Sequence, residues 1–179
     1  MARKDYVDQS IAPIIAFDFD ETINVNSNGR YPECGEVRKY SKEVINFLHD
    51  IGCKIVIWTS RDVAYNQEEK KMYDHLTPML NFLDENGIEY DAINKSVQFA
   101  PYHYNGRKVY AHLYVDDRAF GWEERESIML DVLVCVLTNV IGIKIEYATH
   151  IANDLRNGNV VKLKEYARDC VKAWSGDNE

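Results

Sequence analysis

Asp18 and Asp20 stand two residues apart at the end of the apolar run Pro13-Ile14-Ile15-Ala16-Phe17, and the hydroxyl of Thr22 follows. Carboxylates this close repel one another unless a cation sits between them, one keeps its proton, or their contacts hold them apart. The spacing therefore points to a hard ion such as Mg²⁺ or to a division of acid and base roles. An uninterrupted apolar run of this kind reads as a strand of a parallel sheet. In open α/β sheets ligands sit beyond the carboxyl ends of the strands, which is where these two acids fall. Taken alone, an Asp-x-Asp pair also reads as a solvated turn.

Two further apolar runs end in polar groups. Lys54-Ile55-Val56-Ile57-Trp58 leads into Thr59, Ser60 and Arg61, and Ala111-His112-Leu113-Tyr114-Val115 leads into Asp116, Asp117 and Arg118. Three strands thus deliver chemistry to one sheet edge, with Lys95 and Lys108 between the second and the third.

Acid pair, hydroxyl, lysine and second acid pair, in that order, resemble the haloacid dehalogenase (HAD) superfamily of phosphohydrolases. Asp18-Phe19-Asp20-Glu21-Thr22 matches its Asp-x-Asp-x-Thr first motif, Thr59 its strand-terminal hydroxyl, Lys108 its phosphate-binding lysine, and Asp116-Asp117 its acidic fourth motif. The runs IVIWTSRD and VYAHLYVDDRAFG are similar to a small subgroup of bacterial and phage HAD-like hydrolases. The resemblance spans residues 11–122.

What the resemblance implies is specific. Asp18 is the nucleophile that forms an aspartyl-phosphate, and Asp20 is the general acid that protonates the leaving oxygen and then activates water. An aspartate at the second position implies a phosphatase or phosphomutase, because ATPases of the superfamily carry threonine there. Mg²⁺ is held by Asp18, the backbone carbonyl of Asp20, and Asp116 or Asp117. Thr59, with Ser60 as the alternative, holds the transferring phosphoryl, while Lys108 rather than Lys95 offsets its charge. Arg61 and Arg118 either read a second charge on the substrate or are solvated ion-pair partners.

The elements that must position these groups follow from the pattern. Ser41 as N-cap, Val44, Phe47, Leu48 and Ile51 on one face, and Gly52 as stop predict a helix joining the first two strands, so the fold class is α/β with a doubly wound, Rossmann-like parallel sheet. Asn24 to Arg30 reads as a loop, and residues 62–76 as either an insertion beside the site or a solvated helix over Glu68 to Tyr73. Thr77 as N-cap with Pro78 at the first helical position starts the next helix, which Gly87 ends; Ile88 to Ile93 is the following strand. The aromatic segment 94–107 either packs under the domain or lines the site. Neither gap between motifs holds a full cap domain, so the site is expected to be open.

Residues 123–174 are read as a helical extension of the 11–122 core. The run Ile128 to Leu137 is expected to bury itself against the C-terminal helix or a second subunit, giving a homo-oligomer; Val160, Leu163, Tyr166, Ala167, Cys170, Val171 and Trp174 mark one face of that last helix. Asp131 within the run and the polar Thr138-Asn139 and Gly142 just after it argue against a membrane span.

A chain of 179 residues with net charge -8 suits one domain and offers no basic footprint for duplex nucleic acid. Cys34, Cys53, Cys135 and Cys170 have no Cys-x-x-Cys spacing and nothing at the N-terminus resembles a signal peptide, so reduced thiols and a cytoplasmic location are expected. The function expected is a Mg²⁺-dependent phosphomonoester hydrolase acting on a small phosphorylated metabolite or nucleotide. Its rivals are a polynucleotide 3′-end phosphatase and a non-catalytic binder of a phosphorylated ligand.

Overall fold

The structure, a computed structural model, describes residues 12–25, 27, 31–97, 109–119 and 122–175. Its centre is a parallel sheet of β1 (Ile14–Asp18), β4 (Lys54–Trp58), β7 (Ala92–Ile93) and β8 (Leu113–Val115), in the order β7-β4-β1-β8. The chain builds outward from β1 through β4 to β7, then returns to lay β8 on the other side of β1. That reversal puts the switch point of the α/β sheet at the carboxyl ends of β1 and β8, where Asp18 and Asp116 emerge.

Successive residues of β1 point to opposite faces, and both are buried, which is why the run needs no polar alternation. Ile15 and Phe17 share a cluster with Ile55 and Ile57 and with the helices; Ile14, Ala16 and Val56 face the other side, where Val97, Val109 and Ala111 pack. The arrangement is the α/β, Rossmann-like fold that the sequence pattern predicts.

Helix α1 (Ser41–Asp50) begins where expected, but Ser41 is not its cap. Tyr40 occupies that position in a left-handed conformation, and the Ser41 hydroxyl is buried with no hydrogen-bond partner among the described residues. Helix α2 (Leu76–Glu85) starts one residue before Thr77 because Asp74 supplies the cap: its Oδ1 accepts the N–H groups of Leu76 at 3.0 Å and Thr77 at 2.8 Å. Pro78 still lies in the first turn, where its missing N–H costs nothing. Asp91 explains why the strand expected from Ile88 shortens to β7: its carboxylate accepts the Ile55 N–H at 2.8 Å, taking the place of a ladder carbonyl.

Two hairpins flank the carboxyl edge. At the start of the segment read as a loop, β2 (Asn24–Val25) pairs with β3 (Glu36–Val37) beyond it, pinned by the Gly35 N–H donating to Asn24 Oδ1 at 2.7 Å. Residues 63–74 form β5 (Val63–Asn66) and β6 (Lys71–Asp74), so the insertion reading holds and the solvated helix is corrected. Asn66 decides the matter locally: its side-chain oxygen accepts the Glu68 and Glu69 N–H groups, closing the turn before a helix can propagate.

Residues beyond 122 form α3 (Ile128–Val136), a π-helical turn over Leu137–Ile141, α4 (Ile145–Arg156) and α5 (Val160–Ser175). Helix α3 packs against α1, α4 and the π turn that begins at Leu137, and α5 lies on that turn, on α4 and on α1. Buried Leu133, Ile151 and Cys170 belong to the same cluster as Phe17 and Leu48, so the C-terminal helices extend the core. Leu133→Ala is expected to lower stability by about 2–5 kcal/mol through the cavity it leaves. The check is a lower melting temperature, with turnover per folded molecule largely kept. Among the described residues, no helix is long and apolar enough to cross a membrane.

Candidate active site

The turn after β1 is held by contacts that the sequence pattern does not advertise. The N–H groups of Ile23 and Asn24 return to Phe19 O, and Glu21, at φ 58°, donates to Asn24 O at 2.8 Å. The Arg38 Nε donates to Thr22 O at 2.8 Å, its Nη2 to Glu21 O, and its Nη1 to Glu124, with the guanidinium over the Trp122 ring. Thr22, fully buried, accepts the Asp117 N–H through Oγ1 at 3.0 Å. That bond ties the first acidic segment to the last and fixes how far apart their carboxylates stand.

Asp18, Asp116 and Asp117 each present an oxygen within 4.8 Å of the others. Burial is the largest cause that raises the Asp18 pKa, to about 7; the charges of Asp116, Asp117 and Asp20 add to it, and the Phe19 N–H opposes it. The Asp117 pKa is also raised, by burial and then by Asp116, with Arg118 opposing. Hard oxygens at this spacing suit a divalent ion.

The shift in Asp18 has a consequence for the free protein. Its folded pKa lies above the unfolded value, so its contribution to stability is complete below the unfolded pKa and is lost as pH rises through about 7. Asp18→Asn removes this penalty, and the variant should melt higher than the parent at pH 8 in metal-free buffer, with the difference shrinking toward pH 4. An equal difference at both pH values would contradict the assignment of the shift to Asp18.

Asp20 stands apart from the three clustered acids. Its carboxylate takes the Arg61 fork, Nε on Oδ2 at 2.9 Å and Nη2 on Oδ1 at 2.7 Å, and Oδ1 also accepts Asn24 Nδ2 at 3.2 Å. Arg61 is therefore neither a solvated partner nor a reader of substrate charge, as its sequence position suggested. Its side chain is 0% exposed and lies between the rings of Phe19 and Tyr31. Arg118 is exposed at the mouth of the cleft, as its sequence position allowed.

Thr59 is set by Asn94, whose amide accepts the Thr59 N–H at 2.9 Å and donates to Thr59 O at 2.7 Å. Thr59 Oγ1 accepts the Arg61 N–H at 3.1 Å, which leaves its own proton free to donate. Thr59 and the more exposed Ser60 both line the cleft, so either hydroxyl can face a ligand there. The cleft, about 300 Å³, is also lined by Asp18, Asp20, Asp116, Asp117, Glu21 and Trp58. Larger grooves of about 560 and 460 Å³ run beside β3 and α2 and gather none of these acids. Lys95 is exposed and lies outside the cleft's lining, and Lys108 falls outside the described residues.

Arg38, Asn24 and Asn94 are the site residues that sequence reasoning missed. Their partners lie from 4 residues away, for Asn24 on Asp20, to 86, for Arg38 on Glu124, and are backbone groups or carboxylates. No local pattern marks them; only Thr22, inside the first motif, carried a signal.

No protein-family model matches the chain, and no curated protein does. A solved structure of a conserved protein from Bacteroides thetaiotaomicron is similar to it, at 27% identity over 66% of this chain and 87% of that one, with a TM-score of 0.51. The likeness supports the α/β fold described above.

Proposed function

We propose that the chain is a Mg²⁺-dependent phosphomonoester hydrolase of the HAD superfamily, acting through an aspartyl-phosphate. The observation that carries the reading is the meeting of Asp18, Asp116 and Asp117 beside Asp20 at the switch point of the sheet. A purely structural role leaves such a group of acids unexplained, since clustered carboxylates without a cation repel. The donor set fits Mg²⁺, which needs few protein oxygens and keeps several waters. Asp18, the Asp20 carbonyl and Asp116 or Asp117 would hold it, and when bound it would neutralise charge on the transferring phosphoryl.

In the first step an Asp18 oxygen bonds to phosphorus and the bond to the substrate oxygen breaks. That oxygen leaves with a proton from Asp20. In the second step water bonds to phosphorus and gives its proton to Asp20, and the Asp18–phosphorus bond breaks to release phosphate. Thr59 or Ser60 donates to the phosphoryl oxygens throughout, and Lys108 offsets their charge.

A cleft of about 300 Å³ lies at the small end of ligand sites, which favours a small phosphorylated metabolite or nucleotide as substrate. All four cysteines are free, which fits a reducing, cytoplasmic setting. Purified protein tested with Mg²⁺ against phosphorylated metabolites, nucleotides and 3′-phosphorylated oligonucleotides should release phosphate from at least one small ester. No release from any of them overturns the reading. Lys108→Ala is expected to cost far more turnover than Lys95→Ala, because a cation gains strength where charge develops in the transition state. The reverse order of effects would move the phosphate-binding role to Lys95.

A further inference from the structure

We infer that Arg61 is a positioning residue, holding the Asp20 carboxylate so that one lone pair of its Oδ2 is left for proton transfer at the leaving oxygen; the inference rests on the phosphatase reading. A carboxylate offers about four acceptor sites, two on each oxygen. On Oδ1 both are used, by Arg61 Nη2 at 2.7 Å and Asn24 Nδ2 at 3.2 Å. Oδ2 accepts only Arg61 Nε, at 2.9 Å, among the described residues, and the side chain is 35% exposed on the cleft. The oxygen with a site to spare is the one that can carry a proton to the substrate.

The clamp is itself immobile. Arg61 has the largest of the fully buried side chains, with the ring centroids of Phe19 at 5.0 Å and Tyr31 at 4.9 Å from the guanidinium carbon. Its Nη1 donates to Pro32 O and, at 3.5 Å, to His75 O, so the guanidinium is anchored to the ends of both hairpins as well as to Asp20. Burying a guanidinium is costly unless its donors are paired, and here its donors reach one carboxylate and two carbonyls. A side chain buried this completely cannot meet a ligand, so its effect on the reaction passes through the groups it holds, and an effect selective for the leaving group passes through Asp20. A lysine would supply the charge without the planar two-point fork that sets the carboxylate's rotation.

The proton moves as the bond between phosphorus and the substrate oxygen breaks: Asp20 Oδ2 gives up its hydrogen, the departing oxygen becomes a hydroxyl, and Asp20 is left as carboxylate. An ester whose leaving group departs without a proton does not need this step.

The test compares kcat/KM, which reports the steps up to leaving-group departure, for an alkyl phosphate and for p-nitrophenyl phosphate. Parent, Arg61→Lys and Arg61→Gln are measured, with turnover corrected for folded fraction by thermal melting. The expected result is a loss of about 10²-fold or more on the alkyl ester and at least ten-fold less on the nitrophenyl ester, for both variants. Equal losses on the two esters, or none, overturn the role while leaving the phosphatase reading in place. A parent protein that hydrolyses neither ester overturns that reading instead, and this role with it. If the arginine variants do not fold, Asn24→Ser loosens the same carboxylate from Oδ1 and should show the same ester-selective loss; equal losses there overturn the inference.

Discussion

Asp18→Asn should abolish phosphate release, and Asp20→Asn should slow it by about 10²–10⁴-fold, the contribution of positioned acid–base catalysis. The two effects differ in kind. An amide at position 18 is not a competent nucleophile, so no covalent intermediate forms and only adventitious hydrolysis is left. An amide at position 20 keeps a hydrogen-bonding side chain beside Arg61 but can neither give a proton to the leaving oxygen nor take one from water. Steady-state turnover on the best ester from the substrate panel separates them. Full activity in Asp18→Asn would remove the nucleophile from the proposed mechanism.

Chelation with EDTA should remove turnover entirely, and Mg²⁺ should restore it. Asp18, Asp116 and Asp117 crowd their oxygens within 4.8 Å, and burial and these neighbouring charges raise the Asp18 pKa to about 7. Metal and proton therefore compete, so the Mg²⁺ concentration needed for half-maximal activity should fall as pH rises through about 7. Asp117→Asn and Asp116→Asn should each raise that concentration, and the larger increase marks the direct ligand. Activity that persists in EDTA would sink the metal's role.

Much of this site is legible in the sequence because the fold writes it locally. The apolar runs through Ile14–Phe17 and Ile55–Ile57 are buried on both faces, so each reads as a strand without any tertiary information, and their polar ends fall at one edge. What escaped detection depends on side chains that act across the chain. Asp74 outcompetes Thr77 as a cap because two N–H groups point at its carboxylate, and nothing in their spacing ranks the two. The hairpin of β5 and β6 is closed by Asn66 within a run whose charges equally suit a solvated helix.

Arg61 shows the same gap at the level of function. Its position after a strand end suggests a group facing the ligand, but the burial supplied by Phe19 and Tyr31, from two other segments, turns it toward Asp20. Helix α3 was readable as buried, whereas its true neighbours α1 and α4 are set by packing that periodicity does not encode.

The proposed mechanism passes through a covalent phosphoryl group on Asp18, and that group can be trapped. Protein quenched during turnover with Mg²⁺ and reduced with borohydride should carry homoserine at position 18 alone, since an acyl phosphate is reduced where a free carboxylate is not. Peptide mass spectrometry reads the substitution, and it should vanish without substrate or with EDTA. Turnover that proceeds with Asp18 unmodified, or with the label on another residue, would contradict the account.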